Sequence, residues 1–371
     1  MTQVEHPVIV AALRTPIGTA GKGLSQVTAA DLAAPLLAVV AADLDPQEVV
    51  LGNCMGPGGN VARVAALASG LRPDVPALTV DRQCGSGLAA IEVAAALVRN
   101  HEHLVIAGGA ESASTAPWRC WPPTDGAPPV RYQRAPFAPA HLGDPDMGLA
   151  ADLLAEERGI QRSRQDRYAA RSHRLASAAA RDGLLTEEIM PVSGLAADER
   201  PRTGLTAERL AKLPAAFRPG GTVTAGNSCG VNDGAAVVAV APATLGLPGL
   251  RLLATASVGV DPRRPGLGIV PATRVALRRA GLRLDQIDVI ELNEAFAGQV
   301  LACCDELGIE PEQVCVQGGA LALGHPWGAS GAVLAVRLFT QMIRQGHGRY
   351  GLAAIAVGGG QGVAMVVEAC R

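Results

Sequence analysis

Four short stretches of this sequence carry residues whose types and spacing can do chemistry. In "CGSG" (84–87) a cysteine directly precedes small residues and an apolar helical pattern. A thiol at a helix N-terminus feels the positive end of the dipole and the free N–H groups, which favour the nucleophilic thiolate. The bare backbone of Gly85, Ser86 and Gly87 lets an acyl carbonyl approach Cys84 and find amide donors for its oxyanion. A buried thiol among small neighbours is the alternative reading of the same residues.

The other three stretches lie in the C-terminal third. "QGGALALGHPWGASG" (317–331) sets His325 between a glycine and a proline at the start of a helix. There it can act as base toward Cys84, donate a hydrogen bond to a thioester oxygen, or simply cap the helix at the surface. "ELNEAFAGQ" (291–299) puts Asn293 and Glu294 after the strand-like "IDVIEL", at the start of a helix. Asn293 can hold a water or an oxyanion, or serve as an N-cap. "AVGGGQG" (356–362) is a glycine turn after an apolar strand, either a backbone bend or a source of N–H groups for a ligand.

The elements that must position these residues follow an α/β grammar. "PVIVAAL", "EVVLGN" and "HLVIAGG" are strand-like, whereas 29–42 and 86–99 have helical spacing. In the second helix Leu88, Ile91, Ala95 and Val98 form one stripe. The grammar then repeats: 84–98 followed by "HLVIAGGAES" is echoed by 327–343 followed by "LAAIAVGGGQG". Each copy puts its special residues at strand or helix ends, where open α/β sheets place ligands. Between the copies, 116–146 is too rich in proline for regular structure, and 149–182 reads as a charged helical stretch. Residues 115–222 therefore read as a subdomain inserted into a first half comprising 1–114 and 223–245, with 246–371 as the second half.

Composition narrows the function classes. The 371 residues are 49% apolar with a net charge of -2 and no basic block, so neither nucleic acid nor an anionic membrane is expected as partner. No run of about 18 apolar residues and no leader-like N-terminus occurs, so a soluble cytoplasmic protein is expected. The eight cysteines show no CxxC pair or His/Cys spacing suited to zinc, so no metal is expected. No phosphate loop or dinucleotide fingerprint is present.

Taken in order, "RTPIG" (14–18), "CGSG" (84–87), "AGGAES" (107–112), "GTVTAGN" (221–227), "NDGAA" (232–236), "NEAFA" (293–297) and "GGALALGHPWGASG" (318–331) resemble the signatures of the thiolase family across nearly the whole chain. The resemblance implies a thiolase fold, a duplicated five-layer αβαβα core carrying a loop subdomain, and coenzyme A thioesters as substrates with no permanently bound cofactor. It implies that Cys84 takes an acyl group, and that His325 activates it. His325 and a water on Asn293 would then stabilise an enolate oxygen, with the amides of Cys84 and Gly358 as oxyanion site. Arg202, Ala225 and Ser228 match positions near coenzyme A, and Met147 and Phe296 match positions lining the thioester pocket.

Three positions depart from the family pattern. Ala356 stands where acetyl-condensing members carry a second cysteine, and alanine cannot move a proton. Asp146 replaces a histidine beside Met147, and Cys229 replaces a serine that contacts coenzyme A. The prolines of 117–145 replace the usual tetramerisation loop, so a homodimer is expected over the tetramer. The expectation is a CoA-dependent, Claisen-type acyltransferase. With the second cysteine missing, Asp146 or His325 would have to supply the base. Otherwise, a malonyl-type thioester would deliver the enolate by decarboxylation, or the acyl group would go to an amine, alcohol or water. A non-catalytic CoA-binding or scaffold protein is the alternative outside this class.

Overall fold

The computed structural model describes residues 6–371. In the first half, strand β1 (Val8–Arg14) and short β2 (Gly18–Thr19) precede α1 (Ala29–Ala41), β3 (Glu48–Gly52), α2 (Val61–Ala68), β4 (Ala77–Val80), α3 (Ser86–His101) and β5 (Val105–Ser112). A long excursion follows, with the hairpin β6 (Arg119–Trp121) and β7 (Val130–Tyr132), then α4 (Met147–Glu157), α5 (Arg162–Arg181) and the single turn α6 (Ala207–Leu210). Strand β8 (Asn232–Ala241) closes the half. The second half runs β9 (Gly249–Gly259), α7 (Ile269–Ala280), β10 (Val289–Leu292), α8 (Ala297–Leu307), the short α9 (Ala320–Leu323), α10 (Trp327–Phe339), β11 (Tyr350–Val357) and β12 (Gln361–Cys370).

Strand order carries the repeat seen in the sequence. One half reads β1-β8-β5-β3-β4 and the other β9-β12-β11-β10, joined into a ten-stranded sheet through Val8↔Arg251 and Ile9↔Leu250. In each half the strand after the crossover helix pairs parallel on one side and antiparallel on the other, β5 with β3 and β8, β11 with β10 and β12. Val314 bridges Ile290 in parallel where β4 would stand.

Both faces of each half are covered, so its strands are apolar throughout rather than alternating. On β8, Ala236, Val238 and Val240 face the core shared with α3 and α10, while Val237, Ala239 and Ala241 face the core under α1 and α2. On β11 and β12, Ala353, Ile355, Val363 and Met365 face the same shared core, while Ala354, Ala364 and Val366 face α7 and α8. Three cores separated by two sheet halves make five layers, with α3 and α10 sandwiched in the middle.

The charged helical stretch 149–182 is two helices, α4 and α5, separated at Gly159, whose φ of +63° is left-handed. One reading of the sequence needs correction here. The proline-rich stretch does contain regular structure, the hairpin β6–β7, held by Trp121 stacked on Tyr132 with ring centroids 4.6 Å apart. Among the described residues no helix is long and apolar enough to cross a membrane.

Candidate active site

Cys84 sits in a tight turn between β4 and α3. Gln83 takes a φ of +46°, rare for a residue with a side chain, and thereby turns Cys84 out of the path of the chain. The turn is held by Ser86, whose Oγ donates to the Gln83 carbonyl at 2.6 Å and accepts from the Arg82 N–H at 2.8 Å. Helix α3 has no side-chain N-cap. The Cys84 sulfur is approached by its own N–H and by that of Gly358 across the cavity. These amides favour the thiolate, but burial outweighs them and, with the neighbouring Cys229, pushes the thiol up to about 12. The expected lowering by the helix terminus is therefore overturned, and the resting Cys84 is a neutral thiol.

His325 lies just before α10 and is 2% exposed, which removes the surface-cap reading. Its N–H donates to Asn232 Oδ1 at 3.0 Å, its Nδ1 lies 2.6 Å from Ser330 Oγ, and its Nε2 lies 3.4 Å from Asn293 Nδ2. With the Asn293 amide nitrogen directed at Nε2, the ring proton belongs on Nδ1, donated to Ser330, and Nε2 keeps its lone pair. Burial lowers the imidazole to about 4, so it is neutral at physiological pH and competent as a base.

Asn293 does not start a helix. It occupies the turn after β10, its N–H bonded to the Ala354 carbonyl at 2.9 Å, and α8 begins only at Ala297 with Phe296 as its N-cap. Its neighbour Glu294 is buried and accepts from Tyr168, Ser172 and the Leu321 N–H at 2.8, 2.6 and 3.2 Å. That carboxylate pins the turn between α5 and α9, so the Asn293 side chain is free to meet His325.

The repeated helices bring Cys84 and His325 together. An added Cβ on Gly87 would stand 2.6 Å from the Ala332 nitrogen, and one on Gly331 would stand 2.5 Å from the Leu88 nitrogen. Helices α3 and α10 thus cross backbone to backbone near their N-termini, which only glycine permits. The turns preceding both helices open on one cavity of about 110 Å³.

The cavity walls are mostly apolar, and include Met147, Ala150 and Ala151 of α4, Phe296, Trp327, Ala356 and Val357. Phe217 packs edge-on against Phe296 at 6.0 Å. Cys84, Cys229, Gln299, His325 and Gly358 supply the polar groups. Asn293 stands behind His325, outside this wall. Three candidate coenzyme A contacts lie off the cavity: Arg202 and Ala225 are exposed, and the buried Ser228 donates to the Thr224 carbonyl at 2.7 Å. Asp146 is also exposed and caps α4 through the Gly148 N–H at 3.0 Å, so its carboxylate is committed to the helix and does not line the cavity as a base.

Gln299, Trp327 and Ser330 were not singled out from the sequence. Trp327 and Ser330 stood within the quoted His325 stretch, and Gln299 lies one helical turn after Phe296, so spacing could have found them. Pro265 and Gly266, also in the wall, carry no chemical signal in their own segment.

A thiol, a neutral imidazole and paired backbone amides around one cavity, on a duplicated α/β fold, are the apparatus of acyl transfer. The chain belongs to the thiolase family: residues 7–244 match the thiolase N-terminal domain and 248–369 the thiolase C-terminal domain. It is 42% identical to an acetyl-CoA acetyltransferase of Pseudomonas aeruginosa, covering 98% of this chain and 99% of that one. It is 40% identical to a beta-ketoadipyl-CoA thiolase of Acinetobacter baylyi, covering 98% of this chain and all of the other. The crystal structure of the Bacillus anthracis acetyl-CoA acetyltransferase superposes with a TM-score of 0.90 at 38% identity over 99% of both chains.

Proposed function

We propose that this protein carries acyl groups between CoA thioesters through a Cys84 acyl-enzyme, making or cleaving the C–C bond of a short 3-ketoacyl-CoA. The observation carrying this reading is the Cys84 thiol set beside the Gly358 N–H in the cavity that also holds His325. His325 Nε2 takes the thiol proton as sulfur attacks the thioester carbonyl. The Cys84 and Gly358 amides hold the developing oxyanion, and collapse expels coenzyme A. The second thioester then occupies the place coenzyme A has left, its enolate oxygen facing His325, which Asn293 holds from behind.

A volume of about 110 Å³ is that of roughly three to four water molecules, which suits a short acyl group. Arg202 and Ala225 would then meet coenzyme A outside the cavity mouth. In this reading the protein works as a cytoplasmic homodimer without a resident cofactor. The test is parallel incubation with acetyl-CoA, acetoacetyl-CoA and malonyl-CoA, following intact mass and product, with Cys84→Ala as control. An adduct that requires Cys84, with ketoacyl-CoA formed or cleaved, is expected. No adduct with any thioester would refute the acyl-enzyme, and a ketoacyl product from malonyl-CoA alone would make the enzyme a decarboxylating condenser.

A further inference from the structure

Joining two acyl thioesters requires an α-proton to leave the second one, and its acceptor must be within hydrogen-bond reach of that carbon. Among the described residues lining the cavity, only Cys84, His325 and Cys229 have side chains that exchange protons. Cys84 carries the acyl group at that moment, and His325 holds the proton it took from Cys84. Ala356 has nothing to offer, and Asp146 is spent on the α4 cap.

We infer that Cys229, with the Arg200 guanidinium beside it, removes the α-proton of the second thioester in place of a thiol at position 356. The inference rests on the acyl-enzyme reading above. Cys229 is held against the cavity by its N–H, which donates to the Ala295 carbonyl at 2.9 Å, and by the bridge between Ser228 and Phe296. On its far side Gly230 has no side chain, and Arg200 fills that space. Arg200 is only lightly committed: its Nη2 donates to the Leu321 carbonyl at 3.4 Å and its buried Nε has no partner. Burial raises the Cys229 thiol and Arg200 opposes that rise, so the cation stabilises a thiolate formed there. Across the same cavity the buried Gln299 leaves its Oε1 without a partner, an acceptor fit to receive an amide N–H of the pantetheine arm that carries the thioester.

The proton balance closes with these groups alone. In the first half-reaction, His325 takes the Cys84 proton, Cys84 sulfur bonds to the acyl carbon, and the acyl–sulfur bond to coenzyme A breaks. Cys229 gives its proton to the departing sulfur and becomes a thiolate. In the second, that thiolate takes the α-proton, and the C–H electron pair forms the bond to the acyl carbon. The bond to Cys84 sulfur breaks, and the imidazolium of His325 returns a proton to it. All three groups end as they began.

The experiment separates acylation from α-proton removal. Cys84 is acylated with 4-nitrophenyl thioacetate, whose thiolate leaves without needing a proton. Separately, loss of deuterium from methyl-deuterated acetyl-CoA is followed in unlabelled water, together with acetoacetyl-CoA formation. For Cys229→Ala and Cys229→Ser, the Cys84 adduct is expected to form, while washout and condensation fall by about 100-fold or more. Washout at the unaltered rate in Cys229→Ala would overturn the inference. So would loss of the Cys84 adduct in a folded Cys229→Ser, because the thiol would then serve acylation itself. Absence of the adduct in the unaltered protein would instead refute the acyl-enzyme reading, through the first arm alone.

Discussion

Alkylation of Cys84 reports directly how readily its thiol ionises. A thiol at about 12 is ionised to roughly 3 parts in 100,000 at pH 7.5, whereas a free cysteine near 8.5 is about one-tenth ionised. That is a deficit of roughly 3,000-fold in thiolate. The rarer thiolate is more nucleophilic, and with a Brønsted slope of about 0.45 the difference of about 3.5 in pKa returns roughly 40-fold. Iodoacetamide should therefore modify Cys84 some 70-fold more slowly than free cysteine. The rate should climb about tenfold per pH unit from 7 to 10 without levelling. Timed labelling followed by peptide mapping resolves Cys84 from the other seven cysteines, and Cys84→Ala identifies its peptide. A plateau below pH 9 would refute the reasoning, because it would mean that His325 and Cys84 rest as an imidazolium–thiolate pair.

The remaining predictions concern the groups that position the pair. The imidazole of His325, lowered to about 4, loses its lone pair only when protonated below that value, so the acid limb of Cys84 acylation should fall near pH 4; a limb at 6–7 would contradict the buried neutral ring. His325→Asn should slow acylation by about 10²–10⁴ in a stopped-flow assay. Ser330→Ala leaves Nδ1 without its partner at 2.6 Å and should cost about 1–3 kcal/mol, read as a fall in kcat with KM held; an equal rise in KM would argue for a binding role. Gly331→Ala drives a methyl against the Leu88 nitrogen, so urea unfolding should show a loss of about 1–3 kcal/mol, and an unchanged midpoint would remove the backbone crossing from the account. Asp146→Ala should lose about 1 kcal/mol of stability while Asp146→Asn keeps the cap; condensation lost in the asparagine variant would restore the carboxylate as a base.

How much of this was legible in the sequence depends on whether the controlling force is local. The Cys84 turn and the His325 segment announced themselves because small residues beside a reactive one are a local requirement of close approach. The repeat was visible because each half must rebuild the same strand–turn–helix. Thiol acidity was misread, since a helix terminus is written in the sequence but the desolvation that overrides it comes from tertiary burial. Asn293 is a similar case: an amide before a helix reads as a cap until Glu294, held by α5 and α9, fixes the turn. Asp146 fails in the opposite sense, because its local capping bond wins over the cavity. Spacing alone could not join the wall formed by Pro265 and Gly266 to α4 and α8, since those contacts belong to the tertiary packing.

The duplication also explains why the two half-reactions can diverge. Acylation depends on the crossing of α3 with α10, where Gly87 and Gly331 leave no room for side chains, so the Cys84 and His325 turns are held in one relation. Position 356 depends on none of this. Ala356 is the penultimate residue of β11, pairs with Gly362 on β12, and sets a small side chain in the wall of a cavity already lined by apolar groups. Exchanging one small residue for another there changes neither the strand ladder nor the crossing, so a proton carrier can be lost while the acylation apparatus stays whole. Cys229 stands on a different segment, clamped to the turn that bears Phe296 and backed by Arg200, so it can supply a proton carrier without disturbing the Cys84 turn. It follows that Ala356→Cys in a Cys229→Ala background should restore deuterium washout without altering the alkylation profile of Cys84. Failure to restore it in a folded protein would mean that Cys229 does more than move the α-proton.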